Sequence, residues 1–153
     1  NHIWIGGLDN KNGNDKPKIL FCNGNNEQWT EYVFENEPDG MAVDVNFPTN
    51  QIGYCLISYD TNDANQRIYK STDGGYSWQK LPFEFPLAYQ SLVFKDENIG
   101  WESSSKVIYK TTDGGYTWQK EFEAESNIKK LYYTQNVLYA FAENGLLYRY
   151  YFK

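Results

Sequence analysis

The chain has 153 residues, 20 acidic against 14 basic side chains for a net charge of −6, and 18% aromatic residues. That length allows one ordinary domain with a core. An acidic chain whose densest basic cluster is Lys129 and Lys130 does not bind nucleic acid or an anionic membrane surface, and no apolar run approaches the ~20 residues of a membrane helix.

Taken in chain order, the sequence predicts four units of short strands. The first, about residues 1–36, opens with NHIW and continues through ILFCNGNNEQW at 19–29. The NKNGND stretch at 10–15 is rich in Asn and Asp like a calcium loop. It lacks the alternating ligands and distal Glu, so it reads as a solvated loop. Asn1 opens the chain without a secretory signal, which leaves a removed leader open. Cys22 and Cys55 are the only cysteines; two free, half-buried thiols on strands or a disulfide both fit.

The second unit, about 41–86, begins with MAVDVNF at 41–47. Strict alternation would place Asp44 on the side of Ala42 and Asn46. FPTNQIGY at 47–54 follows, then the polar stretch DTNDANQ at 60–66, then IYKSTDGGYSWQK at 68–80. The third unit, about 88–125, repeats this order with FKDENIGW at 94–101 and IYKTTDGGYTWQK at 108–120. The two long phrases differ only by Ser/Thr exchanges, 40 residues apart. FPTNQIGY and FKDENIGW are 47 apart, so the second unit carries seven extra residues, placed in the polar stretch as a surface loop tolerates. Strands are expected at about 89–95, 99–104, 106–111 and 117–123. The fourth unit, about 127–153, carries YTQNVLY and GLLYRY but no Trp-bearing fourth strand. Its aromatic tail, Leu146 to Phe152, reads as a packed blade strand rather than a sugar-stacking surface.

No window sustains a helical period with caps. NHIW aligns with NIGW at 98–101, a second strand, and LLYRY aligns with IYKT, a third. The expected count is therefore three, four, four and three strands. A four-stranded unit repeated every 40–50 residues is a propeller blade. The predicted fold is an all-β, partial β-propeller of about four antiparallel blades over 1–153, with the first and last incomplete.

Residues 71–78 and 111–118 both fit Ser/Thr-x-Asp-x-Gly-x-Ser/Thr-Trp. On these residues the chain resembles the Asp-box, or bacterial neuraminidase repeat, proteins of the sialidase-like β-propeller superfamily. The phrases IGW and IYKTTDGGYTW are most similar to photosystem II stability and assembly factor-like repeats. The resemblance implies a hairpin between the third and fourth strands of each blade, on its outer rim, built by Ser71, Asp73, Gly75, Ser77 and Trp78 and again by Thr111, Asp113, Gly115, Thr117 and Trp118. The aspartates would accept turn amides, the glycines would take positive φ, and the tryptophans would wedge between sheets. A sugar or calcium site could use the same Asp and aromatic residues, but recurrence in each blade favours a folding device.

The same resemblance brings enzymes into view. A sialidase site needs three arginines, one in Arg-Ile-Pro, with a Tyr/Glu pair and an acid Asp. This chain has Arg67 and Arg149, neither followed by Ile-Pro, which excludes a complete site. For a two-carboxylate glycosidase, Asp44 is the best single candidate, on a first strand of the kind that lines a propeller channel, but its counterpart in the third unit is Ser91. His2 is the lone histidine, and DGGY lacks the Gly-Lys-Ser/Thr of a phosphate loop. The reading is no catalytic, cofactor-binding or metal residue and no cofactor. The chain is expected to be a non-catalytic binding or scaffolding module of a larger exported protein, periplasmic, cell-surface or secreted. Its partner is a protein or carbohydrate, and its remaining blades come from the same parent chain or another chain. The alternative is a fragment of a sialidase-like or xyloglucanase-like glycoside hydrolase with catalytic residues partly outside this segment.

Overall fold

The computed structural model describes residues 2–10, 13, 15–24, 28–59, 65–86 and 90–151. Within them the strands are β1 (His2–Asp9), β2 (Lys16–Asn23), β3 (Trp29–Val33), β4 (Gly40–Asn46), β5 (Gly53–Tyr59), β6 (Gln66–Ser71), β7 (Gln79–Phe85), β8 (Gln90–Phe94), β9 (Gly100–Ser104), β10 (Val107–Thr111), β11 (Gln119–Glu123), β12 (Ile128–Thr134), β13 (Val137–Ala142) and β14 (Leu147–Tyr151). They form four antiparallel sheets, β1-β2-β3, β4-β5-β6-β7, β8-β9-β10-β11 and β12-β13-β14. The order of three, four, four and three strands is the one the repeat alignment predicts. Each strand pairs with its neighbours in sequence, which is the meander of a propeller blade, and the fold is all-β and a partial propeller.

The chain divides into two compact units, Asn1–Leu87 and Ala88–Lys153. In the first, Ile19 of the first sheet and Phe34 just after it pack with Ala42, Cys55, Ile57, Tyr59 and Tyr69 of the second and with Trp78, just before β7. Gly6 lets β1 and β4 approach, since a Cβ there would lie 2.6 Å from the Ala42 carbonyl oxygen. In the second unit the core joins Val93, Trp101, Ile108 and Ala124 of the third sheet to Ile128, Leu131, Leu138 and Ala140 of the fourth. Cys22 and Cys55 are free thiols, both buried.

One expectation fails on the side chain's direction. The β4–β5 register slips between Ala42 and Asp44, with Ala42 opposite Ile57 and Asp44 opposite Leu56. This bulge inserts Val43 as an extra residue and inverts the alternation. Ala42, Val45 and Phe47 then face the core of the first unit, while Asp44 shares the other face with Asn46 and not with Ala42. The fourth sheet carries the same slip between Ile128 and Lys130.

Candidate functional site

The repeated hairpins join β6 to β7 and β10 to β11. In the first, the Ser71 hydroxyl donates to Asp73 Oδ1 at 2.9 Å and accepts the Gly75 amide at 2.9 Å. Asp73 in turn accepts the Ser77 amide at 2.9 Å and the Ser77 hydroxyl at 2.6 Å, and Trp78 Nε1 donates to the Gly75 carbonyl at 3.0 Å. The second hairpin repeats every bond. Thr111 and Asp113 are linked at 2.8 Å, Thr111 accepts the Gly115 amide at 2.9 Å, and Thr117 donates to Asp113 twice, at 2.9 and 2.6 Å. Trp118 Nε1 donates to Gly115 at 3.0 Å. Gly75 and Gly115 sit at φ 104° and 91°, where a side chain would be strained. Both turns are also tied to the loop between the first two strands of their own sheet, by Gly74 N–H to Gln51 O and Gly114 N–H to Asn98 O, each 2.9 Å.

Burial divides the labour within the hairpin. The hydroxyls of Ser71 and Thr111 hold the buried glycine amides, whereas the aspartates hold exposed ones. Thr111→Val should therefore orphan a buried donor and cost about 1–3 kcal/mol, and Asp113→Ala should cost less, about 1 kcal/mol. Urea unfolding of the two variants checks the ranking; a larger loss for Asp113→Ala would reverse it. ILFCNGNNEQW at 19–29 aligns with IYKSTDGGYSW, keeping the leading Ile and closing Trp but not the Asp, and its residues 25–27 lie outside the described residues. Trp29 opens β3 and is 50% exposed, where Trp78 and Trp118 are each 8% exposed.

Among the described residues a dense polar cluster centres on Glu37, in the connection between β3 and β4, outside any residue singled out from sequence. The carboxylate is 5% exposed. It accepts hydrogen bonds from the Tyr59 and Tyr69 hydroxyls and from Arg67 Nη1, the last at 2.5 Å. Arg67 also bonds Glu84 at 3.1 Å and lies 5.3 Å over the Tyr59 ring. Burial alone would raise the Glu37 pKa, but the three donors outweigh it and hold the carboxyl below its ordinary value. Burial and the Glu37 carboxylate push both tyrosines well above theirs. This arrangement keeps one anion and two neutral phenols in place. Arg67 is paired with two carboxylates, Glu37 through Nη1 and Glu84 through Nε.

Glu102 is the opposite case. It is 0% exposed on β9, between Leu92 and Tyr109, and neither carboxylate oxygen has a hydrogen-bond partner. Burial raises its pKa well above the ordinary value. In the repeat alignment its counterpart is Cys55, also buried, which is the signal that could have flagged it.

His2 stacks on Trp4 at 5.5 Å. Ser91, the counterpart of Asp44, is buried and its hydroxyl accepts the Leu131 amide at 3.0 Å. Arg149 lies on β14, opposite Tyr139. Of the two polar loops, residues 11, 12, 14 and 60–64 lie outside the described residues. Among the described residues, no three of His, Cys, Asp and Glu are arranged to hold a metal ion.

The second unit carries a partly open apolar slot of about 190 Å³ between its two sheets. Ile108 and Phe122 wall it on one side, and Leu138, Ala140 and Tyr148 on the other.

Strands, register and repeat together define a β-propeller segment. No protein-family model and no curated protein sequence matches the chain. Among solved structures it is similar to "YCF48 bound to D1 peptide", at 16% identity and TM-score 0.67, covering 97% of this chain and 54% of that one. It is also similar to the computationally designed Ika4 protein, at 12% identity and TM-score 0.59, covering 91% of this chain and 85% of that one. The chain thus spans about half the length of the YCF48 chain, and identities this low speak to the fold alone.

Proposed function

We propose that this chain is a segment of an Asp-box propeller that works as a non-catalytic protein-binding module in an exported parent protein. The observation that carries the reading is a pair of apolar faces, one on the first sheet and one on the fourth. Ile3, Ile5 and Trp29 stand exposed on one face of the first sheet, and Tyr132, Phe141, Leu147 and Tyr151 on one face of the fourth. Contiguous exposed apolar patches mark protein contacts, and in repeat folds such faces are covered by further repeats. Further blades, from the parent chain or another chain, would take these faces. The neighbour YCF48, by its description, is bound to a peptide, which favours polypeptide over glycan as the ligand class. The doubly repeated hairpin bonding supports the Asp-box assignment. Export rests on the family analogy and on the Asn- and Tyr-rich sequence, and fractionating cells that express the parent protein tests it.

Parallel peptide and glycan arrays probed with the protein test the function. Selection of peptides with no glycan bound is the expected result; glycan binding alone would replace the reading. The pairing of Arg67 with Glu37 and Glu84 makes a companion expectation, that the protein does not hydrolyse aryl sialosides. Turnover that survives repurification and vanishes in Arg67→Ala would make the chain an enzyme.

A further inference from the structure

Two hairpin turns of the fourth sheet are built from different parts. The β12–β13 turn holds Gln135 and Asn136 at φ 49° and 61°, without a glycine. The β13–β14 turn holds Asn144 at φ 60°, ψ 20° and Gly145 at φ 75°, and the Leu146 amide reaches the Glu143 carbonyl across it at 3.4 Å. Asparagine tolerates this left-handed region, and Asn-Gly is a favoured pair for such a turn. The same pair is chemically the least protected setting for an asparagine, because glycine puts no Cβ beside the backbone nitrogen that follows the side-chain amide. Asn136 is guarded twice, by the β-branched Val137 after it and by the Tyr133 hydroxyl, which donates to Asn136 Oδ1 at 2.9 Å. Asn127 precedes Ile128, accepts the Ser105 hydroxyl at 2.6 Å and donates to Glu143 at 3.1 Å. Asn144 has neither protection. It is exposed, no hydrogen bond holds its amide among the described residues, and a Cβ on Gly145 would meet nothing within 4 Å.

We propose that Asn144-Gly145 is a site of spontaneous covalent modification, at which the folded chain converts Asn144 to isoaspartate. The Gly145 backbone nitrogen gives up its proton to base in solution and attacks Asn144 Cγ. The new N–Cγ bond closes a succinimide ring, the Cγ–Nδ2 bond breaks, and the nitrogen leaves as ammonia with a proton from water. A water molecule then opens the ring. Attack at Cγ gives aspartate, whereas attack at the Asn144 main-chain carbonyl gives isoaspartate, whose main chain runs through Cβ and Cγ and is longer by a methylene. Closing the ring needs rotation about the Asn144 ψ, and the Glu143–Leu146 bond that resists it is long for a hydrogen bond. On its other side Glu143 is anchored, by Lys129 at 2.8 Å and by Asn127 through side chain and main chain. The added methylene is therefore taken up on the Leu146 side, where it loosens the pairing of β14 with β13. Of the other Asn-Gly pairs in the sequence, Asn12 lies outside the described residues, and Asn23 ends β2 in register with His2. The inference does not rest on the binding-module reading.

The test ages the protein in mildly alkaline buffer, where the attacking nitrogen loses its proton more readily. Peptide mass spectrometry, with fragmentation that separates isoaspartate from aspartate, reads the products. Asn144 is expected to convert at least about tenfold faster than Asn127 and Asn136, and within about tenfold of the same sequence as a free peptide, AENGLL, residues 142–147. Isoaspartate should be among the products, and aged protein should exchange backbone hydrogens faster across 147–151 than fresh protein. Asn144→Asp adds the charge without the methylene and should exchange as fresh protein does. Asn144→Gln, whose longer side chain closes the ring poorly, should stay intact at that position. Conversion of Asn144 no faster than that of Asn127 and Asn136, or a folded protein more than about tenfold slower than the peptide, would overturn the proposal by showing that the fold guards the site. Aspartate without isoaspartate, or exchange across 147–151 that ageing leaves unchanged, would overturn the lengthening of the turn.

Discussion

Replacing Glu37 by alanine is expected to destabilise the Asn1–Leu87 unit by about 3–5 kcal/mol, the usual cost of removing one partner from a buried ion pair. The substitution leaves two buried phenol hydroxyls without their acceptor and removes the nearer of two carboxylates on Arg67. Tyr59→Phe and Tyr69→Phe should each cost only about 1 kcal/mol, because each deletes a donor while Glu37 keeps two others. The pH dependence has two limbs. The folded Glu37 carboxyl is held below its unfolded value, so its stabilisation is present above the unfolded pKa of about 4.3 and is lost as pH falls through the lower folded value. Burial and Glu37 raise Tyr59 and Tyr69, so their contribution is complete below the unfolded value of about 10 and is lost only as pH rises through the folded values. Glu37→Ala should flatten the acid limb and shrink the alkaline one. Urea unfolding across pH, with hydrogen exchange at 53–59 to report on this unit, makes the measurement. A loss below 1 kcal/mol would mean that water replaces the carboxylate at little cost.

The residues that sequence reading found and those it missed differ in the range of the interactions that define them. The hairpins were legible because each closes on itself: Thr111, Asp113 and Thr117 bond within seven residues, so the same residues must recur wherever the turn recurs. Strand order followed from the same repeat. The side that Asp44 faces was not legible, because a bulge depends on how many residues two strands set against each other, and MAVDVNF alternates equally well with or without one. Glu37 was hidden for a different reason. It lies in a polar connection that looks like linker, and its partners are 22, 30 and 32 residues away. The signal in the sequence is Arg67, one of only two arginines in the chain, whose charge calls for a carboxylate partner.

Glu102→Met is expected to do the reverse of Glu37→Ala and stabilise the protein at neutral pH, by about 1–3 kcal/mol. That is the usual penalty for a buried polar group with no hydrogen bond, and Met replaces the carboxyl with an apolar group of similar length. The wild-type residue has no donor to stabilise an anion, so the folded state keeps the proton that burial makes hard to release. Its folded pKa is raised, which sets the sign: the penalty is smallest below the unfolded value of about 4.3, and stability falls as pH rises from there toward the folded value. Glu102→Gln removes the ionisation but keeps an unsatisfied polar group, so it should flatten this slope as fully as Met does while gaining less at neutral pH. Comparing the three proteins by urea unfolding between pH 4 and 8 separates the two contributions, the pH range being about that over which the free carboxyl ionises. If Glu102→Met destabilises at every pH and leaves the slope unchanged, the carboxyl is engaged by a donor in solution. Its strand position opposite Leu92 and Tyr109 would then be a polar contact rather than an orphan.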